Sequence, residues 1–221
     1  IPPQAVRQAA YVLATAVAYF PPDTVHLVVV DPGVGSERRP VVVQTGRATY
    51  VAPDNGVLGL ALAQDPAHQA IHLTEARHRL PFVSATFHGR DIFAPAAAYL
   101  ASGTPPREMG TSIPPADLVV LPGMEPPRRE GDTWQAEVLH VDRFGNLITN
   151  FQIGDLTGQL AVTVGKRRIV KPSRTFADVE SGELVAYTGS SGYLEIAVRD
   201  GNAAAELGVS AGARVQVKGG Q

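Results

Sequence analysis

Residues 26–35 read His26-Leu27-Val28-Val29-Val30-Asp31-Pro32-Gly33-Val34-Gly35, a short continuous apolar run that ends in a glycine loop. Such a run is the mark of a strand buried on both faces. Helix and strand material alternates around it. Ala5 to Phe20 is alanine-rich with good helix formers, and Pro21-Pro22 stops it. Val41 to Gln44 and Thr49 to Ala52 read as two further strands around a Thr45-Gly46 turn. Pro53-Asp54-Asn55-Gly56 is a turn, after which Val57 to Ala63 resumes as a helix. Ala70 to Leu73 is a short strand candidate and Thr74 to Ala85 is mostly loop. Arg90 to Ala101 reads as a helix with Asp91 near its first turn and Ser102-Gly103 at its end. Val119 to Leu121 is a candidate to close the sheet.

The texture then changes. Pro122 to Asp132 is rich in Pro, Gly and charge without periodicity, which predicts a linker. Beyond it, Ala136 to Val141, Leu160 to Val164, Arg168 to Val170, Leu184 to Tyr187, Tyr193 to Val198 and Arg214 to Val217 are short strand-like runs separated by glycine turns. Strands at that spacing with almost no helix between them suggest a small barrel or sandwich. The expected organisation is an α/β domain with a Rossmann-like mixed sheet over residues 1–126, then a small all-β barrel over residues 132–221.

Composition narrows the function classes. Of 221 residues, 44% are hydrophobic and 18% charged, enough apolar material for a real core. Nineteen Lys and Arg against 21 Asp and Glu leave a net charge of −2, which argues against a nucleic-acid binder driven by phosphate neutralisation. No apolar run reaches the roughly 18 to 20 residues of a spanning helix, so no membrane partner is expected. Cysteine is absent, which removes disulfides, thiol nucleophiles and thiolate metal sites and agrees with a cytoplasmic protein. Ile1-Pro2-Pro3-Gln4 has neither the basic start nor the apolar stretch of a signal peptide.

Four segments could carry chemistry. Asp31 to Arg39 follows a buried strand, and ligands of open α/β sheets bind at the carboxyl ends of strands. The segment lacks the Lys of a phosphate loop and the third Gly of a dinucleotide fingerprint. It offers a carboxylate, Asp31, and a guanidinium, Arg38, across a tight glycine turn, although a surface ion pair would account for both. In Thr86-Phe87-His88-Gly89-Arg90-Asp91-Ile92-Phe93, a His at a helix start beside aromatics could be a hydrogen-bond partner or a proton carrier. It could equally be a half-buried structural His. In Val141 to Asn150, Asn146 and Asn150 surround Phe144, an aromatic able to stack on a base, in what is otherwise a strand, a glycine bulge and a turn. In Thr188 to Glu195, hydroxyls and backbone N–H groups could hold a carboxylate or make a turn. The remaining histidines show no metal-ligand spacing.

In order along the chain, the strings DPGVGSERR, APDNG, FHGRDIF, DRFGNLITN and SSGYLEIAV, followed by Gly201-Asn202-Ala203-Ala204, resemble the S-adenosylmethionine (SAM) hydroxide adenosyltransferase family. These SAM hydrolases are relatives of fluorinase and chlorinase. The resemblance runs through essentially the whole chain. It implies an N-terminal α/β domain, a C-terminal β-barrel and a homotrimer whose sites lie where the first domain of one subunit meets the second domain of its neighbour. It implies hydrolysis of SAM to adenosine and L-methionine without a cofactor. The family's Asp-Arg-His triad maps onto Asp31, Arg38 and His88. By the same resemblance Asp142 contacts the methionine ammonium, Phe144 packs on the substrate and Asn146 pairs with the adenine edge. Ser190 and Ser191 would lie near the methionine carboxylate, with Glu195 an acidic neighbour.

Members also carry a first strand and a ribose-holding Asp ahead of the segment that matches Ile1, so the first domain is expected to be short of its first strand. The halogenating relatives keep neither this Asp nor this His, and their inserted loop has no counterpart here. The residue chemistry agrees with water attack at ribose C5′: methionine is a good leaving group, and a positive Arg38 would stabilise developing hydroxide. Whether Asp31 or His88 takes the proton is open at this level, although Asp31 beside Arg38 is expected to stay ionised and be a poor base. The competing expectations are a SAM- or adenosine-binding module without turnover, and a halide-using adenosyl transferase.

Overall fold

A computed structural model describes residues 1–152, 160–170 and 173–219, and the chain divides into two compact units, residues 1–121 and 122–221. In the first unit, α1 (Val6–Ala16) continues into a short 3₁₀ turn and is followed by β1 (Thr24–Leu27), β2 (Pro40–Gln44) and β3 (Ala48–Pro53). Then come α2 (Gly59–Gln64), β4 (Gln69–His72), α3 (Ala94–Ala101) and β5 (Thr111–Ile113). The sheet order is β1-β3-β2-β4-β5, with β1 parallel to β3 and every other pairing antiparallel. It is a mixed sheet with helices packed on it.

The strands buried on both faces are β2 and β3. Val41, Val42, Val43, Tyr50 and Val51 are all fully buried, the signature of central strands rather than of a half-solvated face. The run expected to be such a strand, His26 to Val30, is not. Among the described residues it is strand only to Leu27 and pairs with β3, with Leu27 46% and Val29 39% exposed.

Val119 to Leu121 does not close the sheet either; β5 does, against β4. The Val119 N–H is taken by Asp54 Oδ1 at 2.8 Å instead of a ladder partner, and Leu121 packs over Gly56. The helix expected from Arg90 begins as a π-turn, Gly89–Phe93, before α3. Pro95 accounts for part of this, because the residue that would donate to the Asp91 carbonyl in an α-helix has no N–H.

The second unit holds β6 (Arg128–Glu130), β7 (Thr133–Val141), β8 (Leu147–Gln152), β9 (Leu160–Val164), β10 (Arg167–Ile169), β11 (Leu184–Thr188), β12 (Tyr193–Val198), α4 (Ala203–Leu207) and β13 (Arg214–Gly219). All pairings are antiparallel, in the order β10-β9-β13-β7-β8-β12-β11 with β6 added on β7, and the sheet curls into a nearly closed barrel. Alternation is clean. Leu160, Val162, Val164, Val215 and Val217 enter one core with Leu147, Leu194 and Ile196, while the residues between them in β9 and β13 are more exposed.

Part of the stretch read as a linker is strand: β6 pairs with β7, and the Arg129 guanidinium lies over the Trp134 ring at 5.7 Å. The five-residue α4 escaped the sequence reading. Its signals were Asn202, whose side chain accepts from Ala205 N at 2.8 Å, and Gly208 in the left-handed conformation after it.

Candidate functional site

Asp31, Arg38 and His88 come together in the first unit. The loop after β1 turns at Gly33, where Ser36 N donates to the Gly33 carbonyl at 3.0 Å and Ser36 Oγ does so at 2.7 Å. Ser36 Oγ also accepts from Arg38 N at 3.3 Å, so the turn delivers Arg38 back toward Asp31. Arg38 Nε donates to Asp31 Oδ1 at 2.9 Å and Oδ2 at 3.0 Å, and Nη2 bonds Oδ2 as well. The two side chains are only 9% and 6% exposed, which separates them from an ordinary surface ion pair. Arg38 Nη2 also reaches His88 Nδ1 at 2.8 Å, and the guanidinium carbon stands 5.1 Å from the centre of the Phe93 ring.

This geometry fixes the state of the imidazole. A guanidinium only donates, so Nδ1 must accept and the ring proton sits on Nε2. Burial, reinforced by the Arg38 charge, holds the His88 pKa below the usual histidine value, while Asp31 pulls the other way. His88 is therefore neutral near pH 7, with Nε2–H as its remaining donor. Arg38 Nη1 makes no hydrogen bond to any described residue.

The neighbouring loops hold this arrangement. Gly35 has φ of +79°, and a Cβ there would fall 2.6 Å from the Ala85 carbonyl oxygen, so the loop bearing Asp31 lies directly on the segment leading to His88. Asn55 Nδ2 donates to the Val30 carbonyl at 2.9 Å and pins the strand exit. Buried Asp54 accepts from Arg39 Nε at 2.9 Å and from Val119 N.

In the second unit Asp142 closes its own turn. Its Oδ1 accepts from Phe144 N at 2.9 Å and Asn146 N at 2.8 Å, and its Oδ2 from Asn146 Nδ2 at 2.9 Å. Gly145, with φ of +87°, packs against the Asn202 side chain, where a Cβ would collide at 2.2 Å. Phe144 stands 72% exposed above this turn while Asn146 is buried. Both line a cleft of 760 Å³ together with Phe176, Val198, Arg199 and Asn202, a size suited to a small molecule. Asn202, Phe176 and Arg199 were not assigned a role from sequence; only Asn202 belonged to a string that had been singled out.

Glu195, opposite Tyr187 across the ladder, accepts from the Tyr187 hydroxyl at 2.7 Å. Burial first and the Asp142 charge second raise the Glu195 pKa above the ordinary carboxyl value, against the Tyr187 bond. The Tyr187 hydroxyl is pushed up by burial and by Glu195. Gly189 makes room for this carboxylate, since a Cβ would fall 1.9 Å from Glu195 Oε1. Ser190 is exposed and Ser191 half-buried at the tip of the same hairpin. Among the described residues, no group of three or more His, Asp or Glu side chains could hold a metal ion.

Residues 1–110 match the family model described as the SAM hydroxide adenosyltransferase N-terminal domain, and residues 136–216 match the corresponding C-terminal domain. The chain belongs to this family. A protein of Thermus thermophilus named (R)-S-adenosyl-L-methionine hydrolase is 47% identical, covering 98% of this chain and 84% of that protein. One of the same name from Salinispora tropica is 44% identical over 100% of this chain and 84% of that protein. A crystal structure of an uncharacterised conserved protein from Thermotoga maritima superposes with a TM-score of 0.86 at 37% identity, covering 99% of this chain and 86% of that one. Within the SAM hydroxide adenosyltransferase family the chain is thus matched in both units. No helix among the described residues is long and apolar enough to cross a membrane.

Proposed function

We propose that this chain hydrolyses SAM to adenosine and L-methionine, without a cofactor, by attack of water on ribose C5′. The observation that carries the reading is the buried chain from Asp31 through Arg38 to His88, which joins residues 7 and 50 positions apart and whose step from Arg38 to His88 no local turn requires. Family membership and two relatives named as (R)-SAM hydrolases support the substrate.

In the proposed step the water oxygen bonds to C5′ while the C5′–S bond breaks and its electron pair returns to sulfur. Methionine leaves as a neutral thioether, so no acid is needed to help it. The difficulty is the nucleophile, and the Arg38 charge, with Nη1 unengaged, stabilises negative character on the oxygen. The proton becomes strongly acidic only as the C–O bond forms, so a weak base suffices. His88 Nδ1 is occupied by Arg38, which leaves Asp31, whose Oδ1 accepts from Arg38 Nε alone among the described residues, as the acceptor. His88 then orients the water through Nε2–H.

Substrate binding is assigned to the second unit. Phe144 and Asn146 line the cleft that would take adenine, Asp142 and Glu195 face the methionine ammonium, and Ser190 and Ser191 lie toward its carboxylate. The reading includes a homotrimer in which these residues and the triad meet across subunits, in the cytoplasm.

The test is incubation with the (R) and (S) sulfonium forms of SAM in ¹⁸O-labelled water, with and without high chloride, followed by mass spectrometry. Adenosine labelled at its 5′ oxygen with released methionine is the expected product, with (R)-SAM the better substrate. Chlorinated adenosine would move the chain to halide transfer. Intact SAM at saturating binding would leave a binding module.

A further inference from the structure

Asp91 is fully buried, in the π-turn that begins one residue after His88. It is tied to nearly every part of the segment that precedes it. Its Oδ2 accepts from Ser84 N at 2.8 Å, and its own carbonyl accepts from Leu80 N at 2.9 Å. Its N–H donates to the Phe87 carbonyl at 3.2 Å. Arg90 grips the same carboxylate, Nε to Oδ1 at 2.5 Å and Nη2 to Oδ2 at 3.1 Å, while its guanidinium carbon stands 4.8 Å from the centre of the exposed Phe87 ring. The Asp91 carbonyl is open to Leu80 because residue 95 is proline and cannot take the α-helical bond. Ser84 Oγ in turn accepts from Thr86 N at 3.3 Å. Between these anchors lies Ala85, whose carbonyl is the surface that Gly35 rests on.

We propose that Asp91 is the positioning residue that brings the two halves of the Asp31–Arg38–His88 chain into register. Through Ser84 it fixes Ala85 under the Gly35 turn, and through the π-turn it fixes His88, so the distance between Arg38 Nη2 and His88 Nδ1 is set from one carboxylate. The π-turn serves this end. Within it Asp91 faces inward onto residues 80–87. The effect on turnover rests on the hydrolase reading; the effect on His88 does not.

The charges that act on the His88 ring are Arg38 and Arg79, positive, and Asp31 and Asp91, negative. Asp91→Asn keeps an oxygen for Ser84 N but removes one of the two negative charges and leaves Arg90 without its partner. His88 should then titrate at lower pH than in the parent protein. Loss of the charge alone moves that titration, so displacement of the ring is read separately, from the His88 ¹⁵Nδ1 chemical shift in the same NMR series, which reports whether Arg38 still donates to Nδ1.

The experiment compares Asp91→Asn, Asp91→Ala and Asp54→Asn, the last removing a buried carboxylate that does not contact the triad. His88 is titrated by NMR without substrate, and kcat, KM for (R)-SAM and Tm are measured alongside. Asp91→Asn is expected to lower the His88 titration midpoint and to reduce kcat about 10-fold with KM changed less than about 3-fold. Asp91→Ala should cost about 10²-fold, the scale of a displaced catalytic group, with Asn recovering part of it. Asp54→Asn should lower Tm and leave the His88 midpoint in place. The proposal is overturned if both Asp91 variants keep parental kcat, or if both leave the His88 Nδ1 shift at its parental value. If the parent protein does not turn over SAM, the hydrolase reading fails and the His88 Nδ1 shift alone decides the positioning role. If Asp91→Ala does not fold, Asp91→Asn decides it.

Discussion

In the first unit Asp31 reaches Arg38 seven residues on, and Arg38 reaches His88 fifty residues beyond that. In the second unit Asp142 gives both carboxylate oxygens to Phe144 and Asn146 of its own turn. The difference separates two kinds of polar residue. Asp142 is placed by local turn chemistry that any Asx turn would reproduce, so its hydrogen bonds speak for folding. Arg38 held against a neutral imidazole has no such local cause, because burying a cation beside a half-buried ring is costly unless the arrangement is otherwise fixed. In the second unit the suggestion of a ligand comes instead from what the turn leaves over: an exposed Phe144 ring, a cleft beside it and a carboxylate of raised pKa.

Breaking the long-range side should have the largest effect. Asp31→Ala or His88→Ala is expected to lower kcat by about 10² to 10⁴-fold with KM nearly unchanged, the range of acid–base and orienting groups. Steady-state kinetics on (R)-SAM would show it, and a parental rate in either variant would remove the triad from the mechanism. The pH profile sharpens the same point. His88 must be neutral to accept from Arg38, and its pKa lies below the usual value. The rate should therefore be level near pH 7 and fall only as pH drops below the ordinary histidine range. In His88→Gln, which keeps an acceptor for Arg38, that acid limb should vanish.

Next in size is the joint between the two loops. Gly35→Ala places a Cβ 2.6 Å from the Ala85 carbonyl at a positive φ, and should cost about 1–3 kcal/mol of stability. About 10²-fold in kcat should go with it, since the loops can no longer close to the observed distance. Chemical denaturation and kinetics on the same variant check both. A stability loss without a kcat loss would mean that the joint is not what aligns the triad.

On the second unit the effects should appear in binding. Phe144→Ala removes a ring that is 72% exposed, so Tm should stay within about 2 °C while KM rises about 10-fold, the scale of one stacking contact with a base. Isothermal titration with adenosine measures the same loss without turnover. Unchanged affinity would take the ring out of the site and leave the cleft without its expected stacking partner.

How far the sequence could be read follows the same division. The clean alternation of β9 and β13 and the glycine turns between strands are local, and they predicted the antiparallel unit almost strand by strand. The extent of β1 was not legible, because the residues from His26 to Val30 are as apolar as those of β2 yet the ladder ends at Leu27. β6 was hidden by its charge, which suits an outward strand as well as a linker. The proximity of Asp31 and Arg38 followed from a tight glycine turn, whereas nothing in the spacing to His88 required contact, and only the resemblance to the family joined them. The π-turn and the inward Asp91 had no sequence signal apart from Pro95, which by itself predicts only a helix start.

Glu195→Gln should have the smallest effect and the most informative sign. The folded state raises the Glu195 pKa, mainly by burial and then by Asp142, so it binds the proton more tightly than the unfolded chain does. The stability tied to this group is complete in acid and is lost as pH rises from the ordinary carboxyl range through the raised value. Near neutrality the ionised carboxylate is therefore a net burden on the fold, even with the Tyr187 hydroxyl 2.7 Å away. Gln relieves it while keeping an acceptor for Tyr187, and Tm at pH 7 should rise by about 1–3 °C. Affinity for an ammonium-bearing substrate should fall in the same variant. A gain in Tm joined to a loss of binding would mean that Glu195 is kept for its charge at a cost to stability, as a ligand-facing group would be. A lower Tm with unchanged affinity would make Glu195 a residue held by its own fold rather than one that faces a ligand.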